Sequence, residues 1–207
     1  PPPRRRGRRK MGDPKFLRRT YDTPKHPWEA TRMEEERKLL DKYGLKNKRE
    51  LWKAQSILRG FRRQATDLRA RLRAGEEQAR LETERLLGRL VRLGLLPVGS
   101  PSLDDVLALG TEDLLRRRLE WIVFSRGLAP TAYGARQWIV HGHFSIGDHR
   151  VTRPGYLVAP AEETRLTYCP TSPLAADDHA MRLALRERLE HRAGPAEPAA
   201  APTAPEA

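Results

Sequence analysis

The side chains of this chain that could do chemistry are mostly arginines. Arg116, Arg117, Arg118, Arg126, Arg136, Arg150 and Arg153 fall within one short stretch, with His141, His143 and His149 among them. A guanidinium presents a planar fork of donors that pairs bidentately with phosphate. The pattern therefore suits holding an anion, not breaking a bond. Residues 116–158 carry seven Lys+Arg against Glu120 and Asp148, a net charge of +5. The same residues admit a second chemistry. His141 and His143, as H-x-H in a strand, would share one face as a metal pair needs, with His149 close by. No cysteine or carboxylate set completes a usual zinc site around them, so anion contact or packing is the better reading. Cys169 stands alone, without a context that would activate its thiol.

These groups need elements to hold them. Gly127 follows an apolar-periodic run and suits the left-handed position that stops a helix. Thr131 is placed to cap the next helix. That helix carries Tyr133, Ala135, Trp138, Ile139 and Val140 at helical spacing and ends at Gly142. HFSI and HRV then flank Gly147-Asp148, a plausible hairpin turn.

The whole chain has 207 residues, 38% of them hydrophobic and 32% charged, which implies a thin or split core. Its net charge of +13 points to an anionic partner. The charge is uneven. Residues 1–71 hold 23 Lys+Arg and 9 Asp+Glu, whereas residues 72–207 hold 17 and 18. One cysteine excludes an internal disulfide and fits a reducing cytosol. No apolar run approaches the ~20 residues that span a bilayer, so no membrane partner is expected. A chain that begins with Pro suggests that the initiator Met was removed or left out of the numbering.

Residues 1–26 are rich in Pro and like charges and form no core by themselves. They read as a basic arm that can order on a polyanion, with Tyr21 able to stack on a base. Residues 27–43 read as a helix with Pro27 in its first turn. Asn47 with Glu50 forms an N-x-x-E capping box for the next helix, whose apolar stripe is Leu51, Ala54, Ile57, Leu58, Phe61 and Ala65. Gly60 weakens that helix by about 1 kcal/mol and admits a bend. Lys53, Arg59, Arg62, Arg63 and Arg69 crowd its other faces. Residues 75–94 suggest a third helix burying Leu81, Leu86, Leu90 and Leu93. Ser102 with Asp105 caps a short helix, and Thr111 caps another. The acid pairs Asp104-Asp105 and Glu112-Asp113 sit at helix starts and read as capping groups, not a catalytic dyad. Residues 164–168 read as a strand returning to the first domain, and 180–191 as a short helix. The Pro/Ala end reads as disordered.

The words RRRLEWIVFSRGLA, T-x-x-x-ARQWIVHGH, RV and PGYLV resemble the S-four RNA-binding fold. Gly-Asp replaces the Asn-Gly common in that family's turn, and either pair can take positive φ. MGDPKFLRRTYDTPKHPWEATRMEEE and YGLKNKRELWKAQSILRGFRRQA resemble the archaeal and eukaryotic branch of the S-four family of small-subunit ribosomal proteins. YCPTSPLA resembles the archaeal form's C-terminal segment. The resemblance covers most of the chain except its two ends and a divergent region at 72–100.

The resemblance implies an α+β fold: a mainly helical N-terminal domain with an inserted module of two helices plus a small antiparallel sheet. The expected divisions are a basic arm (1–26), the helical domain (27–115), the RNA-binding module (116–160), a segment returning to the first domain (161–192) and a tail (193–207). It also implies a structural constituent of the small ribosomal subunit, in the cytoplasm. The family binds small-subunit rRNA at a multi-helix junction in the 5′ domain early in assembly. It lies near the mRNA entrance channel, acts in translation and its accuracy, and neighbours other small-subunit proteins (the S-three and S-five families). Some bacterial members hold zinc through N-terminal cysteines. This N-terminal region has none, so that site does not carry over. No catalytic residue, cofactor, metal or small-molecule substrate is expected.

The candidate rRNA contacts are Arg4, Arg5, Arg6, Arg8, Arg9, Lys10, Lys15, Arg18, Arg19, Tyr21 and Lys25 in the arm. Lys46, Lys48, Arg49, Lys53, Arg59, Arg62 and Arg63 follow in the helical domain. The module adds Arg116, Arg117, Arg118, Arg126, Thr131, Arg136, Gln137, His141, His143, Arg150 and Arg153. Such groups reach phosphates and 2′-hydroxyls, which A-form RNA leaves accessible. An RNA-modifying enzyme that uses the module for targeting would need a catalytic constellation or a Walker-type loop, and the other segments hold neither. A free RNA chaperone or translational repressor would use the same surface. Retention on small subunits at high salt discriminates between these. Trp28, Trp52, Trp121 and Trp138 could stack on bases, but the last three lie on amphipathic helices, where packing is the better reading.

Overall fold

In the computed structural model, residues 19–176 and 178–193 are described, with 189–193 as backbone alone. The helical part comprises α1 (Ala30–Tyr43), α2 (Lys48–Arg73), α3 (Glu77–Arg92), α4 (Leu103–Ala108) and α5 (Thr111–Arg116). Leu51, Ala54, Leu58, Phe61, Ala65 and Leu68 form the buried stripe of α2, against which α3, α4 and α5 pack. Each fully buried leucine contributes roughly 1.5–3 kcal/mol. Ile57 departs from the expected stripe. It is 42% exposed, because the stripe drifts toward Leu58 and Phe61. Leu81 is likewise exposed, while Leu86 and Leu90 are buried. Gly60 does not interrupt α2, which runs unbroken through it.

Three helix starts differ from expectation. Pro27 lies outside α1, which begins at Ala30. Arg32 Nη2 donates to the carbonyls of His26 (2.6 Å) and Pro27 (3.0 Å), folding that segment into a turn ahead of the helix. Gly110, not Thr111, occupies the cap of α5, where its amide donates to Asp113 at 2.8 Å. Asn47 caps α2 by accepting from the Glu50 amide, but the Glu50 side chain does not return to close a box; it binds two arginines instead.

The second part comprises α6 (Leu119–Ser125), α7 (Ala132–His141), β1 (Phe144–Ile146), β2 (His149–Val151), α8 (Pro160–Glu163), β3 (Leu166–Tyr168) and α9 (Ala180–Ala193). Thr131 caps α7 by accepting from the Gly134 amide at 3.0 Å. Gly142 closes α7 in the left-handed region. The sheet has order β2-β1-β3, antiparallel throughout, with Phe144 opposite Val151 on one side and Tyr168 on the other. Only Gly147 uses positive φ at the hairpin turn. β3 corrects an expectation: it joins this central sheet and does not return to the helical part. Leu166 is buried in the module's own core, and the Tyr168 ring stacks on Phe144 at 5.2 Å.

The chain enters and leaves the module side by side. Leu119 N donates to Tyr156 O (2.8 Å) and Val158 N to Arg117 O (3.0 Å). Trp121 of α6 crosses the boundary and packs on Tyr43 at 4.6 Å. At Gly44 (φ 67) a Cβ would sit 2.8 Å from the Ala132 backbone, so glycine permits that close approach.

Candidate nucleic-acid interface

Of the arm, Arg4, Arg5, Arg6, Arg8, Arg9, Lys10, Lys15 and Arg18 lie outside the described residues. Arg19 sits over the Tyr21 ring at 4.7 Å. Tyr21 is half-buried, 6.1 Å from the Trp52 ring. The tyrosine expected to meet a base thus packs on α2. Asp22 ties this segment to α2: its amide donates to Ser56 Oγ (3.0 Å) and its carboxylate takes Arg59 (2.8 Å). Lys25 is exposed.

On the helical part, Lys46, Arg49, Lys53 and Arg63 are exposed and form no ion pair among the described residues. Lys48 pairs with buried Glu36 at 3.1 Å, which also accepts from Trp52 Nε1 at 3.0 Å. Arg62 donates to Leu109 O at 2.5 Å. Arg69 meets Asp104 at 2.8 Å, so Asp104 serves an ion pair as well as a helix start. Glu112 bonds Lys42 (2.8 Å) and the Tyr43 hydroxyl (2.9 Å).

The module divides its basic groups differently. Arg118 is 8% exposed and Glu120 1%. Arg118 Nη2 reaches Glu50 at 2.7 Å and Glu120 at 3.6 Å. Arg136 binds Glu50 bidentately, at 3.0 and 2.5 Å, and Glu120 at 3.2 Å. Glu50 belongs to α2, so this quartet joins the two parts. Arg118 and Arg136 were expected to face RNA; both guanidiniums instead hold internal carboxylates. The environments of the two acids differ. Burial opposes ionisation of Glu50, but the hydrogen bond from Arg136 and the charges of Arg118 and Arg136 outweigh it and hold its carboxyl below the usual range. At Glu120 burial wins over both guanidiniums and pushes the carboxyl up to about 7. Glu120 Oε1 and Arg118 Nε lack hydrogen-bond partners.

Arg117 donates to Val158 O (2.6 Å) and pairs with Glu163 (3.0 Å), and Arg126 also pairs with Glu163 (3.3 Å). Arg116 is exposed beside Glu112 and Asp113. Thr131's hydroxyl is engaged in its cap. Gln137, His141 and Arg153 are exposed. Arg150 donates to His141 O at 2.7 Å and lies across Gly142, where any Cβ would overlap its guanidinium. His143 Nδ1 lies 2.8 Å from Ser172 Oγ, and burial, then His141 and Arg150, lower its pKa.

The expected strand geometry for a histidine pair does not form. His141 ends α7, His143 precedes β1, and their rings are 6.2 Å apart. Among the described residues no group of three His, Cys, Asp or Glu could hold a metal ion. Among the described residues, exposed cations outside the candidate set include Arg37 and Lys38 of α1, Arg85 and Arg89 of α3, and Arg165. Arg165's carbonyl holds the Gly147 amide at 3.0 Å, which puts the residue beside the hairpin turn. Its place in an alternating strand was the available signal. No helix among the described residues is long and apolar enough to cross a membrane.

Exposed cations therefore stand on both the helical part and the module, two bodies locked together by the quartet. Comparison with known proteins follows the same division. Residues 117–163 match the S4 domain, and residues 10–116 match the ribosomal protein S4/S9 N-terminal domain. The small ribosomal subunit protein uS4 of Picrophilus torridus is 50% identical over 173 residues, covering 84% of this chain and 94% of that protein. Its counterpart in Thermoplasma acidophilum is 49% identical over 175 residues (84% and 87%), and that of Methanococcus aeolicus 47% over 172 (83% and 96%). With both domain families in order and relatives at this identity matched along most of their length, the chain belongs to the uS4 family of small ribosomal subunit proteins.

Proposed function

We propose that the chain is a structural constituent of the small ribosomal subunit that binds rRNA directly and fixes the relative geometry of several RNA helices. Family membership makes it a ribosomal protein and not an enzyme. The observation that carries the finer reading is the quartet. Glu50 of α2 holds Arg118 and Arg136 of the module, so the two groups of exposed cations keep a set spacing. Rigidly linked contacts raise avidity only when both fit at once, which selects one shape of RNA. Lys46, Arg49, Lys53 and Arg63 serve on one body, and Gln137, His141, Arg150, Arg153 and Arg165 on the other. Arg116, Arg59 and the basic arm add further positive charge.

On this reading the protein seats at the helix junction of the 5′ domain early in assembly, near the mRNA entrance channel and beside the S-three and S-five families. It thereby contributes to translation and its accuracy. The test is binding of the purified protein to the 5′ domain of small-subunit rRNA and to an unrelated structured RNA of equal length, across a salt series. A preference for the 5′ domain that persists at high salt is expected. Equal affinities that fall together as salt rises would reduce the interaction to counterion release and favour a chaperone or translational repressor.

A further inference from the structure

Trp28 lies between the turn held by Arg32 and the start of α1. It is 87% exposed, an uncommon position for the largest apolar side chain. Its backbone is held in place, since Arg32 grips the carbonyls of the two preceding residues at 2.6 and 3.0 Å. The indole borders an open hollow on α1 that also involves Met33, Leu40, Glu34, Arg37 and Lys48. Met33 and Leu40 supply its apolar lining; Lys48 is paired with Glu36 at 3.1 Å, which leaves Arg37 and Glu34 as its open charges. Exposed Lys25 lies three residues before Trp28 in the chain.

An aromatic face beside cations is how proteins hold unpaired nucleotides: the base stacks on the ring and the backbone phosphate meets the charge. The acid refines this. A phosphate inside the hollow would be repelled by Glu34, whereas a base bearing an exocyclic amine would donate to it. Phosphate is better met by Arg37, which is exposed and forms no ion pair among the described residues. A protein partner would find a smaller apolar area than a stable interface requires, around an indole with cations at its rim.

We infer that Trp28 is a stacking platform for one unpaired, amine-bearing nucleobase of the bound RNA, with Arg37 on the adjoining phosphate. This rests on the rRNA-binding reading above and adds a site that the phosphate contacts do not supply. Stacking also predicts a salt response unlike theirs, because it releases no counterion.

The experiment uses the full chain and the 5′ domain of small-subunit rRNA. Trp28→Ala is expected to raise Kd about tenfold at every salt concentration, leaving the slope of log affinity against log salt unchanged. Trp28→Phe is expected to stay within about threefold of the parent. Arg37→Ala is expected to lower the slope by about one. Ultraviolet crosslinking followed by mass spectrometry should find a nucleotide adduct on the peptide that contains Trp28. Unchanged affinity in Trp28→Ala together with no adduct there would overturn the inference. So would loss of binding to another ribosomal protein with rRNA affinity intact. If the parent protein shows no preference for the 5′ domain, the underlying reading fails first, and that result is separable because it needs no variant.

Discussion

Arg136 and Arg63 are the same residue type on neighbouring helical bodies, and they have opposite fates. Arg136 lies in a junction where two guanidiniums and two carboxylates share four contacts between 2.5 and 3.2 Å, with Glu120 sealed from solvent. Arg63 lies on the open side of α2 without an ion-pair partner among the described residues. A buried charge must be matched inside the protein, because burial removes its hydration. An exposed charge keeps its water and can exchange it for a phosphate. The comparison teaches that net charge locates the interface only roughly. Which arginines serve it depends on where the acids fold.

The largest effect should come from breaking the junction. Arg136→Ala leaves Glu50 and Glu120 short of a partner and should destabilise the protein by about 3–5 kcal/mol, read by urea denaturation. Unchanged stability with weakened rRNA binding would reverse the comparison and make Arg136 an RNA ligand. Gly44→Ala should cost about 2 kcal/mol, because its Cβ meets the Ala132 backbone at a positive φ. A neutral outcome would show that the two bodies separate more readily than their packing implies.

The Glu120 carboxyl sharpens the picture through pH. Its folded pKa, about 7, lies above the ordinary value of 4.5. The folded state then binds the extra proton between those limits, and stability from this group is gained as pH falls from about 7 towards 4.5 and lost as pH rises. His143, with its lowered pKa, works in the opposite direction below about 6.5. Glu50 matters only further down, as pH falls through the ordinary carboxylate range. The stability difference between wild type and Glu120→Gln should therefore shift in favour of the wild type by about 1 kcal/mol per pH unit between pH 7 and 5. A flat difference would mean that Glu120 is ionised throughout. The smallest effect on stability belongs to the open face. Arg63→Ala should change stability by under about 0.5 kcal/mol while reducing the salt slope of rRNA binding by about one.

Local signals were legible wherever both partners lie within one turn. Thr131 with Gly134, Ser102 with Asp105, and Gly142 as a helix stop are short-range geometry, and residue type states them directly. The α+β class followed from the periodicities and from the family words. Glu50 shows where such reasoning ends. N-x-x-E is a capping pattern, yet its carboxylate binds residues 68 and 86 positions away. No local spacing carries that information. β3 was misassigned for a related reason: a three-residue strand identifies itself, not its neighbour, and Leu166 is drawn to the core that Phe144 already fills.

Sequence alone determined the basic character, the helix caps at Asn47, Ser102 and Thr131, the two-part organisation and the family. Each depends on composition, on short-range hydrogen bonding, or on words of fixed spacing. Only the tertiary structure decided which cations remain available. Burial removes water, an unmatched charge then becomes too costly, and the acids brought close by packing claim Arg118 and Arg136 while leaving Lys53, Arg63 and Arg153 at the surface.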